Sequence, residues 1–365
     1  MKKKILLMLF LAFLTSVLFA DDIVLENGNI KIVLHEYSGS ISLYSKSKKT
    51  GKFISLIDNT NYSVNSGFYL KIDDVFRKLE RSYGVDISIG YIANGISVSY
   101  NIKKQALVEV YFTTFTSNLN TVADCIKVDV AVKNLTGERH NYAVKAVFDT
   151  LLGEASGNHF FTARINPLNT EQIFESMNSQ KYVATTNGYD TVGFLFYGNN
   201  MSNPEYVAVA NRNTLLKKEW IPNISQDKVF DSIDTFNNSA MSVIWRTAEL
   251  SSLGKSNVTF FISTSTEKKA FPLEKSFPSE VLTVPYTQEE DTSTYTDSYG
   301  TTYTVGVYTE EQLDPEYIAD LLNRIHTLEI NADGSNRDEI KKLNAELDAI
   351  MQKIKRLEPE QNGQN

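Results

Sequence analysis

The chain is predicted to be mainly β: a large antiparallel β-sandwich followed by a C-terminal α-helical hairpin or coiled-coil tail. Three observations predict this. Between residues 22 and 285 apolar and polar residues alternate in run after run, the period of strands with one buried face. Turn residues separate those runs and helical spacing is scarce, which excludes a parallel sheet with crossover helices. Near the end the apolar period changes to three and four, the spacing of an amphipathic helix.

The start of the chain reads as an export signal. Lys2, Lys3 and Lys4 precede an apolar stretch from Ile5 to Ala20, and Asp21 and Asp22 follow. A basic start, a short apolar middle and a small residue at the cut make residues 1–20 a signal peptide. The apolar run, about 15 residues, falls short of the roughly 20 that span a bilayer. Leu18 is large for its place before the cut, so the alternative is an uncleaved anchor, which would then be the chain's membrane contact. The expected destination is the periplasm, with the outer surface or secretion as alternatives.

Residues 21–285 form the expected β-sandwich domain. Ile30–Leu34 and Ser40–Tyr44 flank a Ser38-Gly39 turn. Val85, Ile87, Ile89 and Tyr91 alternate with polar or small residues up to Asn94-Gly95. Ile96, Val98, Tyr100 and Ile102 then return, a hairpin with one wet and one dry face. Leu107–Phe115 continues the pattern. Ile126, Val128, Val130 and Val132 point one way, with Lys127, Asp129, Ala131 and Lys133 the other; after Asn134–Gly137, Tyr142, Val144, Ala146 and Phe148 come back. Further strands are expected at Val192–Tyr197, Tyr206–Ala210, Met241–Trp245 and Val258–Ser263, and a helix around Glu171–Met177. Nineteen tyrosines and 20 phenylalanines suit pleated, half-buried surfaces.

Residues 286–312 are polar, acidic and poor in aliphatics, and read as a linker or long exposed loop. Residues 313–358 are the helical hairpin. Asp314-Pro315 is a good N-cap and first helical residue. Ile318, Leu321, Ile325 and Leu328 share one face; Asn331–Asn336 break the helix. Ile340, Leu343, Leu347, Ile350, Ile354 and Leu357 then give a heptad seam. These ten residues are the expected interaction surface. It has three candidate cover surfaces: the sandwich, a second copy, or another envelope protein. Residues 359–365 are a polar tail.

Composition narrows the partners. The 365 residues are 42% hydrophobic, enough for a substantial core, and the formal charge is −8. An acidic balance excludes sequence-independent nucleic-acid binding, which needs phosphates neutralised by Lys and Arg. The single cysteine, Cys125, closes no intrachain disulfide and reads as a buried thiol. His35, His140, His159 and His326 lack metal-ligand spacing, and no nucleotide or cofactor motif is present, so neither metal nor cofactor is expected.

The most distinctive segment is Phe148-Asp-Thr-Leu-Leu-Gly-Glu154. Here Asp149 and Thr150 follow a strand end, and Glu154, His159, Arg164, Glu171 and Glu175 come within the next turns. One reading makes Asp149, Glu154 and Glu171 a sugar-binding groove, with carboxyl pairs placed for acid–base work and Trp220 and Trp245 as stacking platforms. The other has Asp149-Thr150 tie down a loop through side-chain hydrogen bonds to backbone.

Ile126–Glu154, Val207-Ala-Val-Ala-Asn211 with Trp220, and Phe236–Trp245 resemble large secreted β-sandwich proteins of spirochaete-type bacteria. The layout over residues 22–285 is also similar to the galactose-mutarotase-like supersandwich. That resemblance implies a supersandwich fold of a kind found in carbohydrate-active enzymes; no catalytic residue carries over. The leading expectation is a non-enzymatic periplasmic or envelope binding and assembly protein with a helical interaction tail. The alternative is a carbohydrate-binding or carbohydrate-active sandwich using the acidic residues around 149–175, with a glycan as ligand.

Overall fold

The computed structural model describes residues 22–58, 65–154, 156–226, 228–230, 238–265, 276–279, 281, 292–298, 300, 302–306, 310–330 and 336–357. The expected signal peptide and the polar tail lie outside the described residues.

The chain opens with β1 (Ile23–Asn27), β2 (Ile30–His35), β3 (Ser40–Lys46) and β4 (Phe53–Ser55), paired in that order as a four-stranded antiparallel sheet. Next come β5 (Gly67–Ile72), β6 (Val75–Lys78), β7 (Val85–Ile92), β8 (Gly95–Ile102), β9 (Ala106–Phe115), β10 (Cys125–Asn134) and β11 (His140–Asp149). Four short strands follow: β12 (Phe161–Thr162), β13 (Gln172–Phe174), β14 (Tyr182–Thr186) and β15 (Thr191–Leu195). Then come β16 (Pro204–Asn211), the one-turn helix α1 (Arg212–Leu215), β17 (Ser239–Trp245), β18 (Ala248–Leu250) and β19 (Lys255–Ser265). An eight-stranded sheet runs β12-β14-β15-β19-β10-β9-β8-β7. A seven-stranded sheet runs β13-β16-β17-β11-β5-β6, with β18 also on β11. The fold is a mainly antiparallel β-sandwich with a C-terminal helical segment.

Period-2 alternation puts Ile126, Val128, Val130 and Val132 of β10 into the same buried cluster as Val144, Ala146 and Phe148 of β11. Aromatic rings fill the gap between sheets. Phe68 of β5 meets Phe112 of β9 at 6.4 Å between centroids, and Phe148 meets Phe194 of β15 at 4.8 Å. At the β7–β8 turn Asn94 takes φ +57°, while Gly95 is required for space: a Cβ there would lie 2.2 Å from the Phe112 carbonyl oxygen. Cys125 is fully buried, and burial pushes its thiol well above the usual range, as an inert cysteine requires.

Two expectations are corrected. The helix around Glu171–Met177 is instead β13, paired with Val207–Val209 of β16. Ile173 packs outward against Ala208 and Phe174 inward on the main core, so neighbours face opposite ways and only a strand serves both. The expected linker 286–312 contains β20 (Thr292–Thr296) and β21 (Thr302–Gly306), an antiparallel hairpin, and a 3₁₀ turn at Glu310–Leu313. Its β-branched threonines and its tyrosines favour strand, and the missing aliphatic cover comes from the tail itself.

That tail consists of α2 (Pro315–Ile330) and α3 (Arg337–Leu357). The Asp314 carboxylate accepts from the Glu316 N–H at 2.8 Å, the expected cap. Leu321, Ile325, Leu343 and Ile350 form a buried cluster, with Ile318, Leu328, Leu347 and Ile354 packed on it; Ile340 is half-buried. Leu357 ends α3, and its side chain lies outside the described residues. The same helix α3 also meets the β20–β21 hairpin; Lys341 Nζ donates to the Thr296 carbonyl at 2.8 Å, and Ala345 and Ala349 are buried. The seam expected as an interaction surface is therefore largely the interior of a small α/β unit. Among the described residues its elements make their extensive contacts with one another, not with sandwich strands.

Candidate functional site

The site is built on strand ends. Phe148 is fully buried between the sheets, so β11 ends at a fixed place and Asp149, one residue on, is held at the sandwich rim. Beside it lie the start of β17 at Ser239 and the end of β16 at Asn211, followed by Arg212 of α1. The Asp149 N–H donates to Ser66 Oγ at 3.0 Å, and the Asp149 carbonyl accepts from the Asp58 N–H at 2.8 Å.

Four acidic groups and one histidine converge here. Arg212 Nη1 donates to Asp149 Oδ2 at 3.3 Å. Glu154 Oε1 accepts from the Ser239 N–H at 2.9 Å and lies 3.4 Å from Ser239 Oγ. His159 Nδ1 is 2.9 Å from the same hydroxyl, and its ring stacks on Phe230 at 5.1 Å. Glu171 Oε1 accepts from the Asn211 N–H at 2.9 Å, with Lys228 Nζ at 3.8 Å. Asp58, steadied by Asn65 Nδ2 at 3.3 Å, adds its charge from the segment after β4. Asp149, Glu154, His159 and Glu171 are all buried.

Burial sets the electrostatics. It pushes the Asp149 carboxyl up to about 6, against the pull of the Arg212 charge and with a push from Asp58. It pushes Glu154 up to about 7, opposed by the Ser239 N–H and reinforced by Asp149 and Asp58. Burial is the largest cause of both shifts, so these two carboxyls take up protons more readily than exposed ones. Among the described residues, no group of three or more His, Cys, Asp or Glu is placed to hold a metal ion.

Four of the eight residues expected from sequence are thus brought together. The other four are not. Arg164 and Glu175 are exposed, on the turn after β12 and just beyond β13. Trp245 is buried against Phe260 and Phe196, its indole N–H donating to the Ser202 carbonyl at 2.9 Å, so it serves as core and not as a platform. Trp220 meets Phe76 edge-on at 5.5 Å; its carbonyl, with those of Leu215 and Glu219, receives Lys145 Nζ on the outer face of the seven-stranded sheet. The loop-tying reading holds for Thr150, whose Oγ1 donates to the Ser239 carbonyl at 3.3 Å, but Asp149 pairs with a side chain. Sequence reasoning missed Arg212, Ser239 and Asp58. Asn211 and Ser239 do fall in the strand-end segments singled out above, and Arg212 adjoins one; the available signal was the polar residues closing each apolar run.

No family model matches the chain, and no curated protein matches it. Solved structures similar to it include galactose mutarotase-like and aldose epimerase proteins. A galactose mutarotase related enzyme from Lactobacillus acidophilus has 10% identity and a TM-score of 0.41, over 69% of this chain and 100% of that one. A GalM/aldose epimerase homologue from C. elegans has 9% identity and a TM-score of 0.43, over 67% and 99%. A GH36 α-galactosidase from Geobacillus stearothermophilus has 9% identity and a TM-score of 0.39, over 67% and 40%. The site described above rests on this chain's own residues.

Proposed function

We propose that the protein is exported and binds a carbohydrate at the sandwich rim formed by Asp149, Glu154, His159 and Arg212. The observation that carries this reading is the convergence of the pair between buried Asp149 and half-buried Arg212 with Glu154 and His159 near the strand ends of β11 and β17. Sugar hydroxyls both donate and accept, so they are recognised by charged acceptors and fork-shaped donors on a rigid frame. A carboxyl that titrates near neutrality can also give and take a proton at a bound sugar, which places acid–base chemistry within reach of Glu154. Export is supported by the basic and apolar start of the chain. The test is glycan-array binding with the intact chain. Binding should be lost by tenfold or more in Asp149→Asn and Glu154→Gln variants that keep the wild-type circular dichroism spectrum. Binding of no glycan, or equal binding by the variants, overturns the reading.

A second reading concerns the tail. With the seam used internally, a partner in the cell envelope or a second copy would meet its outer surface, where Leu322, Ile330 and Met351 are exposed. Leu322→Glu should then abolish cross-linking of the full chain to itself or to a neighbour in intact cells. Unchanged cross-linking removes this reading.

A further inference from the structure

Ser239 stands between two buried titratable groups. Its Oγ is 2.9 Å from His159 Nδ1 and 3.4 Å from Glu154 Oε1, while its own N–H donates to that same Oε1 at 2.9 Å. His159 is 2% exposed and Glu154 7%, so neither exchanges freely with bulk water. A hydroxyl has one proton to give. If it donates to Glu154, it must accept from His159 Nδ1–H; if it donates to His159 Nδ1, Glu154 Oε1 keeps only the backbone N–H.

We infer that Ser239 is a proton-relay residue that ties the protonation of Glu154 to the tautomer of His159. With Glu154 ionised, the serine O–H faces the carboxylate and His159 carries its proton on Nδ1. A proton arriving at Nε2 of His159 releases the Nδ1 proton to Ser239 Oγ, and the serine proton passes to Glu154 Oε1. One proton has entered, Glu154 is neutral, Ser239 is again a hydroxyl, and His159 is again neutral with its proton on Nε2. The groups facing Glu154 are Asp58, Asp149 and, across Asp149, Arg212; burial favours uptake near neutrality, and the charges of Asp149 and Asp58 reinforce it. On the His159 side stands the Phe230 ring, with Lys228 and Glu171 on the adjoining segments. The Phe230 ring stacked on His159 orients the imidazole plane toward Ser239.

The relay lies at the proposed carbohydrate site but needs no ligand, so its failure and the failure of glycan binding are separable. The experiment is nitrogen-15 NMR of the intact, histidine-labelled chain between pH 5 and 9, with the Glu154 carboxyl carbon followed in parallel. His159 should change from Nε2–H to Nδ1–H as pH rises, with the same midpoint as Glu154. Ser239→Ala should separate the two, leaving one tautomer across the range; Ser239→Thr should keep the change, and Glu154→Gln should hold a single tautomer throughout. One unchanging tautomer in the wild type overturns the relay, even if no variant folds. So does a change that persists in Ser239→Ala, or a Glu154 midpoint below pH 5.

Discussion

Glu154 carries the sharpest consequence at the residue scale. Its carboxyl sits at about 7 in the folded chain against an ordinary 4.5, so between these values the folded state holds a proton that the unfolded state has released. The stability from this group is fully present below pH 4.5 and is lost as pH rises through 7. Asp149 acts in the same direction between 3.8 and about 6. Glu154→Gln keeps an acceptor for the Ser239 N–H and removes the titration, so it should flatten the decline and stabilise the chain at pH 8 by about 1–3 kcal/mol, read by urea unfolding. Gly153 next door has no room for a side chain: a Cβ would lie 2.4 Å from the His159 carbonyl and 2.5 Å from that of Asn158. Gly153→Ala should therefore displace the Glu154 loop and cost about 1–3 kcal/mol, visible as a lowered Tm.

Among elements, β11 is the one on which the site depends. Its inner face ends in Phe148, clasped by Phe68, Phe194 and Phe260, and its last residue is Asp149. Phe148→Ala should cost about 3–5 kcal/mol and weaken ligand binding without touching a polar group of the site. The outer face of the same strand carries Lys145, buried, with its ammonium directed at three carbonyls of the 215–220 segment. Burial pulls this lysine down to about 8 from 10.5, so the folded chain binds fewer protons between those values and stability rises with pH there. Lys145→Met should abolish that rise in urea titrations between pH 8 and 10.5. The correction of the Glu171–Met177 helix to β13 belongs to this scale too. Glu, Gln, Phe and Met tolerate helices, and only the two packed surfaces on either side of Ile173 and Phe174 select the strand.

At the scale of the whole molecule, the sandwich and the α2–α3 unit have separate cores. A charge placed in the smaller core should melt that unit alone. Leu343→Asp, 4% exposed in the wild type, should remove helical circular dichroism while leaving the tryptophan fluorescence transition of the sandwich in place. A single merged transition would mean that the two cores fold as one. The heptad spacing was legible, but its partner was not. The seam is covered from within because α2 folds back on α3, while α3 also takes the β20–β21 hairpin, whose cover no local pattern announces.

Residue spacing alone determined the antiparallel sandwich, the Asn94-Gly95 hairpin and the change to a helical tail, and it put Asp149, Glu154, His159 and Glu171 among the candidate site residues. These follow from period and turn chemistry, which act between near neighbours in the chain. The packing of the two sheets brought Arg212 and Ser239 beside those residues, put Trp245 in the core, and left Arg164 and Glu175 facing solvent. Those outcomes depend on which strand ends meet at the rim, and strand order is set by the packing of two sheets, not by any short stretch of sequence.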